Sequence, residues 1–198
     1  MITVAALYID PRGPYPKMEG VDCWDEKRDA RLYEGPHPVV AHPPCGPWGR
    51  LAPMCRRQVA DCAPRAVEQV RAWGGVLEHP ADSRLWKACD LPRPGELPDA
   101  WGGRTIAVFQ SDWGHVARKP TWLYVVGPAR SERAPFPGKA PTHWVSGTRN
   151  KNRKPGGGTV PPGIKVCSAQ QRRRTPPLFA EYLVRLARAA GSQRRTAA

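Results

Sequence analysis

No apolar run in the 198-residue chain approaches the ~18 residues that a membrane-spanning helix needs. The start, Met1-Ile2-Thr3-Val4, has no basic stretch leading into an apolar one, so a secretory signal is not expected and a cytoplasmic setting is. No two of the six cysteines, at 23, 45, 55, 62, 89 and 167, form a Cys-x-x-Cys pair, and the gap from Cys55 to Cys62 does not suit a zinc knuckle. Neither a metal site nor disulfides are therefore expected, and most of these thiols read as small buried hydrophobes. Uninterrupted helix is equally scarce. With 24 prolines and 19 glycines, the chain cannot be a coiled coil or a helical bundle.

Acids are also few, 17 against 31 Lys and Arg, for a net charge of +14 and a pI of about 10.1. An imbalance of this size points to a polyanionic partner, with nucleic acid first. An anionic membrane surface is second, and no basic amphipathic helix supports it.

Five strand-like runs are present: Thr3–Ile9, Pro38–His42, Gly75–Glu78, Thr105–Gln110 and Thr121–Val126. Most are continuously apolar, as in strands covered on both faces. Between the second and third, Val59, Cys62, Ala66, Val70 and Trp73 recur at helical spacing. That helix is expected to be capped by Asp61, to carry Pro64 in its first turn, and to end at Gly74-Gly75. A second amphipathic helix is expected from Leu178 to Ala190. Strand–helix–strand order predicts a single α/β domain over 1–190 with a parallel core, and a disordered basic tail over 191–198.

Residues 127–177 differ in character. They hold eleven Lys or Arg against one acid, Glu132, and so carry +10 of the +14. They include the run Lys154-Pro155-Gly156-Gly157-Gly158. A basic, proline- and glycine-rich insertion within the domain is expected here, with Arg149, Lys151, Arg153, Lys154, Arg172, Arg173 and Arg174 as DNA contacts.

The chemistry-bearing stretch is Val39-Val40-Ala41-His42-Pro43-Pro44-Cys45. An apolar strand ends, two prolines stiffen the turn, and a thiol is delivered at the edge where open α/β sheets bind ligands. Val76-Leu77-Glu78-His79-Pro80 repeats the design on the next strand. If the two strands are parallel neighbours, Cys45 and Glu78 stand side by side. A thiolate is suited to adding across a polarised C=C–N system. A carboxyl group beside it can protonate or hydrogen-bond the ring nitrogen. Trp48 and Arg50, just beyond the thiol, are candidates to touch a base and a phosphate. His42 and His115 lie near the same edge, where structural roles are expected of them.

Ala-His-Pro-Pro-Cys at 41–45 resembles the Pro-Cys nucleophile motif of DNA cytosine-5 methyltransferases, and Leu-Glu-His-Pro at 77–80 resembles that family's Glu-Asn motif. The block from Asp112 to Gly127, with Arg118-Lys119-Pro120-Thr121, and the ending Arg172-Arg173-Arg174-Thr175 through Glu181 are similar to short phage-type cytosine methylase-like proteins. The resemblance covers about residues 38–127 and 172–190. It implies a Rossmann-like methyltransferase sheet acting on a flipped cytosine in DNA. Cys45 would be the nucleophile on C6 and Glu78 the partner of N3. Arg118, with Lys119, would hold the base or an adjoining phosphate. A phage origin would imply the host cytoplasm.

The family's cofactor motif, Phe-x-Gly-x-Gly after the first strand, is missing. Here Leu7-Tyr8-Ile9-Asp10 runs into Pro11, Pro14 and Pro16, which leave no room for an ordinary first helix. The fold is expected to be truncated at this end, with Asp10 and Asp22 as the carboxylates left to grip a ribose. Three readings stay open. The first is a cytosine C5-modifying enzyme that uses S-adenosylmethionine through a reduced site. The second is a pyrimidine-modifying enzyme that uses another one-carbon donor. The third is an inactive DNA-binding relative. With no separate target-recognition domain, a helper protein for target recognition is a further expected partner.

Overall fold

The computed structural model describes residues 2–49, 52, 55, 59–128, 132–145 and 163–196, with side chains as far as 192. Its centre is a six-stranded, mostly parallel sheet in the order β2-β1-β3-β4-β6-β5. The strands are β1 (Val4–Leu7), β2 (Val21–Trp24), β3 (Val39–Ala41), β4 (Gly75–Pro80), β5 (Gly103–Phe109) and β6 (Pro120–Val126). The first four run parallel, and β6 lies antiparallel between β4 and β5. Five of the six fall where apolar runs predict them. The exception is β2, whose four residues are all half-buried and include Asp22, so no apolar run marks it.

Side-chain alternation along the strands divides the core in two. Val4, Ala6, Val40, Val76, Leu123 and Val125 pack with the helix α4 (Pro177–Thr196), through Phe179, Leu183 and Leu186. Ala5, Leu7, Val39, Ala41, Leu77 and Tyr124 pack with α1 (Cys62–Trp73), through Ala63, Ala66, Val67 and Val70. The sheet is thus covered on both faces, which is why its central strands are continuously apolar.

Several local expectations change in detail. Asp61 does stand at the N-cap of α1, but its side chain makes no cap bond, because its carboxylate is taken by Arg31 at 2.8 Å. Gly74, at φ 73°, ends α1 as expected. The second helix does not stop near Ala190 but continues to Thr196, so the expected disordered tail is helical over 191–196. The basic segment 127–177 is not loop throughout. It contains β7 (His143–Trp144) and β8 (Lys165–Val166), paired parallel, and the short helix α3 (Ala169–Arg173). Of the candidate contacts, Arg50, Arg149, Lys151, Arg153 and Lys154 lie outside the described residues. Among the described residues no helix is long and apolar enough to cross a membrane.

One glycine fixes how closely β3 and β4 pair. Gly75 has φ +116°, and a Cβ there would meet the backbone of Val39, its partner in the β3–β4 register. Gly95 has φ +89° but open space around it. Gly75→Ala is expected to lower stability by about 3 kcal/mol, from backbone strain plus overpacking, and Gly95→Ala by only about 1 kcal/mol. Urea denaturation midpoints of the two variants check this ranking, and equal midpoints would contradict it.

Candidate functional site

The parallel stretch of the sheet winds outward from β1 to β2, then crosses back so that β3 lies on the other side of β1. This reversal is the kind of place where α/β sheets leave a crevice outside the carboxyl ends of their strands. The chain emerging from β3 carries Pro43 and Pro44 into a tight turn over Gly46–Trp48, with the Cys45 carbonyl accepting from the N–H groups of Trp48 (3.1 Å) and Gly49 (3.0 Å). The turn is braced from outside. Arg84 Nη2 donates to the Pro47 carbonyl at 3.1 Å, and Trp48 Nε1 donates to Ala60 O at 3.2 Å. The result is an exposed cysteine on a stiff support.

In the parallel β3–β4 register Ala41 is paired with Leu77, and one residue further on His42 meets Glu78. His42 Nδ1 lies 2.9 Å from Glu78 Oε2. Gln110 Nε2 donates to Glu78 Oε1 at 2.9 Å and also to Thr121 Oγ1 at 3.1 Å. On its other side, His42 Nε2 is 2.6 Å from the Tyr15 hydroxyl. Glu78 and His42 each keep about 11% of their side-chain surface exposed, so the carboxylate is nearly dry yet reachable.

Burial alone would raise the Glu78 carboxyl. The Lys119 charge and the His42 hydrogen bond outweigh it and bring the pKa from 4.5 to about 2. Glu78 is therefore held as a carboxylate, not as the free acid that a proton donor to a ring nitrogen would be. For the Cys45 thiol the balance goes the other way. Lost hydration in the cleft, and then the Glu78 charge, push its pKa above 9.0, while Lys119 and Arg173 pull it partly back.

The cations are distributed differently from expectation. Lys119 acts on both Glu78 and Cys45, from a backbone held at φ +39°. A left-handed lysine at a sheet edge is local strain of the sort that gathers at functional sites. Arg118, by contrast, is exposed and lies over the Phe109 ring at 4.0 Å, so the cation beside the pair is its neighbour. The charge of Arg173, at the end of α3, acts on Cys45, that of Arg172 on Cys167 and that of Arg174 on His115. His115 is buried and bridges to the Gln171 carbonyl at 3.0 Å, which ties α3 to the segment that follows β5. Trp48 is half-buried against the α1-side core, with its N–H spent on Ala60, so it offers no indole donor to a base.

The two carboxylates considered for a cofactor are both engaged. Asp10 pairs with Arg12 at 2.9 Å, and its carbonyl closes a turn with the Gly13 N–H at 2.8 Å. Asp22 accepts from Trp24 Nε1 at 2.8 Å and from Arg28 at 2.6 Å. Tyr15, in the loop that follows β1, has its side chain fully buried. The residues present here do not fit S-adenosylmethionine. They offer neither a glycine cradle nor an uncommitted carboxylate for its ribose. Among the described residues no group of three or more His, Cys, Asp or Glu comes together as a metal site requires.

Sequence reasoning had no means of finding Gln110 and Tyr15. Gln110 ends a strand-like run and Tyr15 sits in a proline-rich loop, so neither has a spacing that announces a site. No family model, curated protein or solved structure matches the chain.

The opposed charges around Cys45 make a direct prediction. Alkylation of Cys45 by iodoacetamide, followed by peptide mass spectrometry, should rise with pH to a midpoint above 9.0. Removing the cation in Lys119→Met should move that midpoint up, and removing the anion in Glu78→Gln should move it down. Shifts of the opposite sign would mean that these charges do not act on the thiol.

Proposed function

We propose that the protein modifies cytosine at C5 in DNA through covalent addition of Cys45 to C6, within a Rossmann-like methyltransferase sheet reduced at its cofactor end. The observation that carries this reading is an exposed cysteine and a nearly dry carboxylate at the ends of adjacent strands, with the Glu78 charge acting on the thiol and the charge of Lys119 acting on both. The net charge of +14, with Arg172, Arg173 and Arg174 on and beside α3, supports a polyanionic substrate. Both C5 and C6 are out of reach inside a duplex, so the base is presented flipped or single-stranded.

In this reaction the Cys45 thiolate forms the S–C6 bond, and the electron pair of C5=C6 moves into the ring toward N3. Because Glu78 enters as an anion, it does not bring the proton. N3 is protonated from solvent, and the carboxylate stabilises that protonated ring by a charge-assisted hydrogen bond. C5 is then an enamine carbon that attacks a one-carbon electrophile. Solvent removes the C5 proton, its bonding pair re-forms C5=C6 as the S–C6 bond breaks and the thiolate leaves, and N3 returns its proton to solvent. A donor other than S-adenosylmethionine is favoured by the engaged carboxylates and the buried tyrosine of the loop that follows β1.

The addition can be read without any donor, because the enamine takes up a solvent deuteron at C5 and then collapses. In deuterated water, the protein is expected to introduce deuterium at C5 of deoxycytidine in DNA. Cys45→Ala should abolish the exchange, and Glu78→Gln should slow it by roughly 100-fold or more. Exchange by Cys45→Ala at the wild-type rate would overturn the reading.

A further inference from the structure

The loop between β1 and β2 uses its length in an unusual way. An α/β sheet commonly places a helix or a ligand-binding turn after its first strand. Here Pro14 and Pro16 flank Tyr15 in a single 3-10 turn, Tyr15–Lys17, and the Tyr15 ring is buried in the core cluster that holds Ile9, Val40 and Phe179. The only atom of that side chain with hydrogen-bonding capacity, its hydroxyl, ends 2.6 Å from His42 Nε2.

We propose that Tyr15 and His42 are positioning residues for Glu78, forming a three-member relay that fixes one histidine tautomer and so holds the carboxylate in place as an anion. This inference rests on the reading of Glu78 as the group that meets the base. Three steps lead to it. An ionised carboxylate only accepts, so the proton of the 2.9 Å contact is on His42 Nδ1. In a neutral imidazole with its proton on Nδ1, Nε2 is left as the acceptor, and the Tyr15 hydroxyl, kept protonated by burial and then by Glu78 and Cys23, lies 2.6 Å from it as the donor. The imidazole is therefore held at both nitrogens, and its tautomer is set by the hydroxyl behind it.

The consequence is geometric. Glu78 Oε2 receives the His42 N–H and Oε1 receives the Gln110 amide, leaving each oxygen a lone pair for the edge of a base. The groups facing His42 and Glu78 are Tyr15 from the first loop, Cys45 beyond β3, His79 on β4 and Lys119 from the segment before β6, with Cys23 of β2 facing Tyr15. His79 is buried and held neutral at ordinary pH, its pKa lowered to about 4 by burial, and the Lys119 charge acts on Glu78 from the segment before β6.

The test uses the full chain with ¹⁵N-labelled histidine and three variants, Tyr15→Phe, His42→Asn and His42→Ala. In the wild type, NMR is expected to show the His42 proton on Nδ1, with Nε2 as a hydrogen-bonded acceptor. In Tyr15→Phe, the Nε2 signal should move toward that of a free ring nitrogen. A His42 proton on Nε2 in the wild type would overturn the relay, whatever the protein's activity.

The second readout is C5 deuterium exchange on a cytosine oligonucleotide. Tyr15→Phe should lower kcat by roughly 10- to 100-fold at unchanged KM, because the base still binds but its partner is less well held. His42→Asn, whose amide stands where Nδ1–H stood, should recover most of the activity that His42→Ala loses. Wild-type kcat in Tyr15→Phe, or equal loss in His42→Asn and His42→Ala, would reduce Tyr15 and His42 to packing residues. Absence of exchange in the wild type, with the Nδ1–H signal in place, would instead overturn the cytosine reading and leave the hydrogen bonds standing.

Discussion

A carboxylate that is nearly removed from water takes up a proton unless donors and a cation hold it, and Glu78 is held by three groups from distant parts of the chain. His42 arrives with β3, Gln110 follows β5, and Lys119 precedes β6. None could be in place if the strands were paired in another register. The close β3–β4 pairing that Gly75 permits, the antiparallel insertion of β6 and the buried tyrosine of the first loop therefore meet at one side chain. The same edge carries Lys119 with a left-handed backbone, whose charge acts on Glu78.

The same charge shapes the chemistry available to Cys45. A carboxylate beside a thiol opposes formation of the thiolate, and Lys119 opposes that effect in turn. The thiol is thus left mostly protonated at neutral pH, and its reactivity is governed by what binds beside it. A base that neutralises Glu78 by carrying a proton on its ring nitrogen would lift the opposing charge at the moment the sulfur must attack. Under the proposed cytosine chemistry such a substrate would help to activate its own nucleophile, and a pyrimidine with no ring nitrogen facing the carboxylate would not.

Much of the frame was legible because the central strands are covered on both faces and read as apolar runs, each followed by a turn residue. Cys45 and Glu78 are assigned to the same sheet edge because two strands end in the same pattern, and in the structure it is His42 that meets Glu78 there. What stayed hidden depended on contacts that leave no local trace. The strand β2 is short and half-buried and contains Asp22. Tyr15 meets His42 across 27 positions, from a segment whose prolines announce only a turn. Lys119 acts on Glu78 and Cys45 while Arg118 lies over the Phe109 ring, a division between two adjacent basic residues that sequence alone does not mark. Asp61 shows the same limit on a smaller scale: it occupies the cap position that the pattern assigns to it, but Arg31 competes for its carboxylate and wins.

The central claim is that Cys45 and Glu78 together make a covalent cytosine-modifying centre, and nucleoside mass spectrometry tests it most directly. DNA from cells expressing the wild type would be digested and compared with DNA from cells expressing Cys45→Ala. The account predicts a deoxycytidine derivative heavier by a one-carbon group in the first sample and missing from the second, with the added mass identifying the group transferred. The same modified nucleoside in both samples, or no new nucleoside in either, would contradict it.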